Sequence, residues 1–148
     1  MKILILSDSH SKPLDIDFSK YDHVIHCGDF GRSRMDLEED NVTYVSGNCD
    51  MYGDNDANIE LYGRKIFVTH GHWYSVKMTL TSLISKAKAL GVDYVFYGHT
   101  HIQAYSHEDN IIFINPGTYA NLEYCVITED EINFYQNNKL TKTIENRW

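Results

Sequence analysis

The sequence predicts an α/β fold in a single domain spanning residues 1–148, and three observations carry that expectation. Short apolar runs rich in Val, Ile, Tyr and Phe recur along the chain and stop at Gly, Asn, Asp and His, as buried strands that deliver polar loops do. One stretch in the middle has helical rather than alternating periodicity. A chain of 148 residues that is 43% hydrophobic and 23% charged suits one ordinary domain with a sizeable core, and excludes disorder as its main state.

In chain order, Lys2 to Leu6 reads as the first strand and runs into Ser7, Asp8, Ser9 and His10. Val24 to Cys27 ends at Gly28 and Asp29, and Val42 to Val45 ends at Ser46, Gly47, Asn48, Cys49 and Asp50. Short helical pieces are expected between these strands, near Leu14 to Tyr21 and Arg34 to Asp40. Lys65 to Thr69 then delivers His70, Gly71 and His72. The long helix is expected over Ser75 to Leu90, where Leu80, Leu83, Ile84, Ala87 and Leu90 form one apolar face and Gly91 supplies a C-cap. Tyr94 to Tyr97 delivers Gly98, His99, Thr100 and His101. The rest is strand: Ile102 to Ser106, Ile111 to Asn115, Glu123 to Thr128, Glu131 to Tyr135 and Leu140 to Ile144, with tight turns at Asp109-Asn110 and Glu129-Asp130. In open α/β sheets ligands bind beyond the carboxyl ends of strands, so five polar clusters at strand ends point to one site.

Charge and composition narrow the function. Thirteen basic against 21 acidic side chains leave a net charge of -8, which argues against a duplex nucleic acid or an anionic membrane as partner. A small anionic substrate remains compatible if cations gather locally. Three widely spaced cysteines, Cys27, Cys49 and Cys125, make neither a disulfide framework nor a paired thiolate zinc site, so a reducing compartment is expected. The first apolar run is shorter than the roughly 7 to 15 residues of a signal peptide, and no run approaches the ~18 of a membrane span. The expectation is a soluble cytoplasmic protein without a membrane partner; a homo-oligomer is compatible with the sequence.

Asp8-Ser9-His10 and His99-Thr100-His101 use a spacing of two, which in extended backbone puts both side chains on one face. Carboxylates with imidazoles favour transition ions such as Mn, Fe, Co, Ni or Zn over Ca or Mg. Taken in order, Asp8-Ser9-His10, Gly28-Asp29, Gly47-Asn48, His70 and Gly98-His99-Thr100-His101 resemble the five blocks of the calcineurin-like metallophosphoesterases, and most closely their small phosphodiesterase branch. The resemblance spans Lys2 to about Gly117. It implies two facing mixed β-sheets flanked by helices, an α-β-β-α sandwich. It further implies that Asp8, His10, Asp29 and His101 hold one divalent ion, with manganese the first choice, while Asp29, Asn48, His70 and His99 hold a second. Asp29 would bridge the two through both carboxylate oxygens. The reaction implied is hydrolysis of a small phosphoester, a phosphodiester rather than a monoester, by in-line attack of a metal-bridging hydroxide on phosphorus.

Other residues are weighed against plainer roles. His72, one step past a block, is expected to contact phosphate or the leaving group, or simply to order its loop. Arg32 and Arg34 follow Asp29 on a loop that could face the substrate, but solvated arginines are the commoner outcome. Trp73, Tyr74, Tyr52 and Tyr119 suggest an aromatic rim or the edge of the core. Asn115-Pro116-Gly117-Thr118 reads as turn chemistry, and His23, His26 and His107 match no block. In many larger family members a His follows the metal-binding Asn, with the next Asp orienting it; here that position is Cys49, a poorer proton donor, followed by Asp50. Two alternatives stand beside the enzyme. A non-catalytic scaffold, such as the retromer subunit of this fold, would be favoured by degraded ligand blocks, and none is degraded. A nuclease needs a basic groove, and Lys77, Lys86, Lys88 and Lys139 form no stripe.

Overall fold

A computed structural model describes residues 1–148. The first sheet contains β1 (Ile3–Leu6), β2 (His23–His26), β3 (Val42–Tyr44), β9 (Tyr124–Ile127), β10 (Glu131–Gln136) and β11 (Lys139–Glu145), in the order β11-β10-β9-β1-β2-β3. The second contains β4 (Asp56–Leu61), β5 (Arg64–Thr69), β6 (Tyr94–Phe96), β7 (Ala104–Glu108) and β8 (Ile111–Asn115), in the order β4-β5-β6-β8-β7. Both sheets are mixed. Within them β1, β2 and β3 run parallel, as do β5, β6 and β8, while β9, β10 and β11 in the first sheet and β4 and β7 in the second pair antiparallel.

Alternation along the strands explains the layering. Ile3, Ile5 and Ile25 of one sheet meet Ile66, Val68 and Phe96 of the other in a shared buried core. The opposite faces carry the intervening residues: Phe67, Val95 and Phe113 lie under the helix, whereas Leu4, Leu6 and Val24 lie under Leu14, Phe30 and Leu37. A one-residue slip in register would exchange these sets, so burial on both faces fixes the pairing.

The predicted sandwich of two mixed sheets is therefore present, with few helices. Its α-helix, α1, runs from Thr81 to Leu90 rather than from Ser75. Gly71 and Ser75 both adopt positive φ, 103° and 53°, which confines His72–Tyr74 to a single 3-10 turn and delays the helix. The predicted face holds: Leu83 and Ala87 are buried, with Leu80, Ile84 and Leu90 packed beside them. Gly91, at φ 66°, ends the helix by donating its N–H to Ala87 O at 3.0 Å. The two shorter pieces are 3-10 turns, Phe18–Lys20 and Gly31–Leu37.

Strand β4 lies outside the predicted set. Its alternation was present in the sequence, since Ala57, Ile59 and Leu61 pack on the inter-sheet core while Asn58 and Glu60 point away. Tyr62 and Gly63, at φ 49° and 78°, turn the chain directly into β5. The predicted turn at Asp109-Asn110 is a hairpin with both φ values positive, 47° and 64°.

Candidate metal centre

The carboxyl ends of β1, β2, β5 and β6 converge at one edge of the sandwich, with the loop after β3 joining them. Six of the seven predicted ligands meet there in two groups whose ligand atoms lie within 4.8 Å of one another: Asp8, His10 and His101, then Asp29, His70 and His99. His10 Nε2 and His101 Nε2 are 3.2 Å apart, as are His99 Nδ1 and His70 Nε2. Two ligands on one tetrahedral ion at ~2.05 Å would be separated by about 3.3 Å, so both imidazole pairs already have the spacing of adjacent ligands.

The carboxylates show why the site suits cations. Asp8 is fully buried; its Oδ2 accepts from Ser7 Oγ at 2.5 Å and from the His99 N–H at 3.0 Å, while Oδ1 has no hydrogen-bond partner. That orphaned oxygen lies 3.1 Å from His101 Nε2 and 3.6 Å from His10 Nε2. A buried anionic oxygen without a donor is costly unless a positive charge reaches it. Asp29 turns Oδ1 to the Cys49 N–H at 2.8 Å, and Oδ2 lies 3.3 Å from His70 Nε2 and 4.0 Å from His10 Nε2. Asp29 Oδ2 faces both groups, and Oδ1, which accepts one N–H, keeps a further lone pair.

Protonation follows the same geometry. Burial pulls the Asp29 carboxyl upward, yet His70 and the Cys49 N–H bring it well below the ordinary carboxylate range. Burial lowers His70, but the Asp29 and Asp8 carboxylates outweigh it and raise its pKa. His70 Nδ1 donates to Cys27 O at 2.7 Å, which leaves Nε2 as the atom available to a ligand partner. Burial followed by the charge of His70 lowers both His99 and His72.

Five of these ligands sit in left-handed backbone: Asp8, His10, Asp29, His99 and His101 have φ of 52°, 45°, 58°, 71° and 62°. Such conformations cost energy in non-glycine residues and persist where the surroundings impose them. The glycines of the blocks permit the approach. A Cβ on Gly47 would fall onto Asp29 Oδ1, and one on Gly98 would fall onto Ser7 Oγ and against Asp8 Oδ2.

The remaining predicted residues divide. Asn48 is exposed on the same loop, its Nδ2 donating to Cys49 Sγ at 3.5 Å. Cys49 Sγ forms a further group with His10 and Asp29, within the same 4.8 Å limit. His72 lies beside the centre, its ring 5.4 Å from that of His70, with a buried Nδ1 that lacks a partner. Arg34 is committed to Glu38 at 3.3 Å and stacked 4.5 Å over the Tyr52 ring. Tyr119 is core, packed beneath the first sheet, and Trp73 is exposed beside His72.

Several supporting residues carry more weight than their sequence context suggests. Asp50 accepts from Asp29 and Gly47 N–H groups, both at 2.7 Å, through Oδ2, and from Phe30 and Gly31 N–H groups, both at 3.1 Å, through Oδ1. It is a clamp on two ligand loops and is not free to orient a neighbouring ring. Asn115, fully buried, donates to Gly98 O at 3.0 Å and Thr100 Oγ1 at 2.9 Å, and so fixes the His99-His101 loop. Thr118 Oγ1 donates to Asp8 O at 2.7 Å. The turn over Asn115 to Thr118 therefore holds two ligand loops. His26, buried as expected of a core histidine, also ties the first two ligand loops together. It accepts from the Gly28 N–H at 3.1 Å through Nδ1 and, in the tautomer this requires, donates through Nε2 to Ser9 Oγ at 2.9 Å.

Comparison with known proteins agrees with this geometry. A model of the calcineurin-like phosphoesterase superfamily domain matches residues 1–129. A Bacillus subtilis protein named a probable metallophosphoesterase is 34% identical over 126 residues, covering 80% of this chain and 75% of its own. A phosphodiesterase of Methanocaldococcus jannaschii is 31% identical over 147 residues, covering 79% and 83%. Among solved structures, a predicted phosphoesterase from Streptococcus pneumoniae superposes with a TM-score of 0.80 at 25% identity, over 98% of this chain and 97% of the other. Vacuolar Protein Sorting 29 from Cryptosporidium parvum gives the same TM-score at 17% identity, over 99% and 98%, a likeness of fold.

Proposed function

The chain belongs to the calcineurin-like phosphoesterase superfamily, and from that membership we propose that it is a dinuclear metal-dependent phosphoesterase that prefers phosphodiesters. The observation that carries this reading is the pair of buried carboxylates. Asp8 Oδ1 has no partner, and Asp29 Oδ2 stands between His10 and His70.

Asp8, His10, Asp29 and His101 would hold one ion, and Asp29, Asn48, His70 and His99 would hold the other, a reading supported by the two groups of ligand atoms within 4.8 Å. Two divalent ions held there, with manganese first and nickel, cobalt, iron or zinc as alternatives, would lower the pKa of bound water toward ~7 and offset charge growing on the phosphoryl oxygens. Set against the two aspartates and a hydroxide, they would leave a site of about +1 in a chain of net charge -8. A small phosphoester would be drawn to that edge and repelled elsewhere. Ser7, the His99 N–H, the Cys49 N–H, Asp50, His26 and Asn115 keep the ligands in place before a substrate arrives. His72, whose ring lies 5.4 Å from that of His70, would contact the phosphate or the departing oxygen.

The intact ligand set favours catalysis over a purely scaffolding role. The lysines also favour a small substrate over a nucleic acid, since Lys88 is paired with Asp109 at 2.8 Å. The test is to strip the protein of metal, restore Mn, and assay phosphomonoesters, phosphodiesters and cyclic nucleotides while counting bound ions. About two ions per chain and diester turnover are expected. Saturation at one ion or none, or an inert loaded protein, would overturn the proposal.

A further inference from the structure

Beside the metal centre lies a groove that the ligand geometry does not use. It runs between the segment leading into α1 and the loop from β6 to β7, has a volume of about 510 Å³, and is walled by Val76, Leu80, Tyr97 and Ile102, with Lys77 and Thr100 among its lining. Its attachment to the centre is direct. Thr100 separates His99 from His101 and is held by Asn115 at 2.9 Å. Lys77 lines the same groove as Thr100. Val76 packs against Gly71, where an added Cβ would lie 2.8 Å from Val76 Cγ2, next to His70 and His72.

The groove's chemistry is mixed in a useful order. Lys77 is its one cation, on the same lining as Thr100. The walls are apolar, and the adjoining surface leaves Ile102, Met78 and Trp73 exposed at 69%, 83% and 70%. An apolar group would gain from burial against Val76, Leu80 and Ile102, while Lys77, Thr79 and Thr100 leave donors for the polar end of the same ligand. The volume falls in the range of small-molecule sites.

We propose that this groove is the subsite for the esterified alcohol of the substrate, and that it takes an aromatic alcohol, with Lys77 facing the phosphate end. The inference rests on the phosphoesterase reading and adds to it the class of group joined to phosphorus.

Phenylphosphonate and methylphosphonate, which share a head group and resist hydrolysis, separate the two ideas. Calorimetry on the metal-reconstituted protein should show phenylphosphonate binding roughly tenfold tighter, the order expected for burying one ring. Ile102→Ser, a substitution at an exposed position, should cut that preference to about threefold or less and raise KM for bis(4-nitrophenyl) phosphate. Lys77→Gln should weaken both phosphonates by a similar factor. Equal wild-type affinity for the two, or an unchanged preference in Ile102→Ser, would overturn the groove assignment and leave the phosphoesterase reading standing. Failure of the loaded wild type to bind either phosphonate would overturn both.

Discussion

Replacing Asp50 by Asn keeps the shape of a side chain that touches no ligand atom, and it should nevertheless damage the centre. The carboxylate receives four backbone N–H groups, two on each oxygen. An amide has one oxygen. If that oxygen keeps the shorter bonds from Asp29 and Gly47, its NH2 group is turned toward the Phe30 and Gly31 N–H groups, donor against donor. Bonds to a charged acceptor are worth about 1.5 to 3 kcal/mol each. Because Gly31 is exposed, water recovers part of the loss, so a destabilisation of about 3 kcal/mol is expected for Asp50→Asn in the metal-free protein. For a domain of this size that corresponds to roughly a 6 to 12 °C fall in Tm. Asp29, held at φ 58° by the same clamp, should relax, and loss of such outer support typically weakens metal binding about 10- to 100-fold. Urea unfolding of the metal-free protein and calorimetric metal titration measure the two effects, with the exposed Asp40→Asn as a control expected to stay within about 0.5 kcal/mol of wild type. Asp50→Asn matching that control in stability, with undiminished metal affinity, would refute the reasoning.

Asp29→Ala should abolish turnover and weaken binding of at least one ion, whereas Cys125→Ala, buried between β1 and β10, should keep the chemistry; equal loss in both variants would mean that folding was being measured. Cys49→His should flatten the dependence of log rate on leaving-group pKa across aryl and alkyl diesters, at unchanged metal content, since an imidazole protonates a departing oxygen better than a thiol that burial and Asp29 push upward. With Asp50 committed to backbone, the new ring lacks an orienting partner, and an unchanged slope would make His72 the group to mutate next. His26 is fully buried and its pKa is lowered to about 3 by that burial, so the unfolded chain binds a proton below ~6.5 that the folded chain refuses. Its contribution is intact above that pH and is lost as pH falls toward 3. Metal-free wild type should therefore lose about 2 kcal/mol more than His26→Gln between pH 6.5 and 5, and parallel stability curves would contradict this.

The candidate ligands were legible because they fall in ordered motif blocks that resemble those of the family and because strands deliver those blocks to one edge. Asp8, His10, Asp29, His70, His99 and His101 were identified from the chain and meet as expected. The strands of both sheets were also visible as apolar runs, apart from β4, whose half-buried alternation was weaker than a continuous run. The start of α1 was misplaced because nothing in Trp73-Tyr74-Ser75 announces that Ser75 adopts positive φ.

The resemblance of the ordered motif blocks supplied the candidate ligands and the two facing sheets, while composition and periodicity supplied the acidic balance and the apolar face of α1. Everything that depends on meetings between distant segments needed the folded chain. Asp50 clamps a loop some 20 residues earlier, and Asn115 and Thr118 brace ligand loops from far along the chain. Asp29 Oδ1 is met by the Cys49 N–H from a loop 20 residues on, and the groove beside the His99-His101 loop forms only where the approach to α1 meets the loop after β6. These are properties of atoms brought within hydrogen-bonding or van der Waals range by folding, and no local pattern of residues encodes such distances.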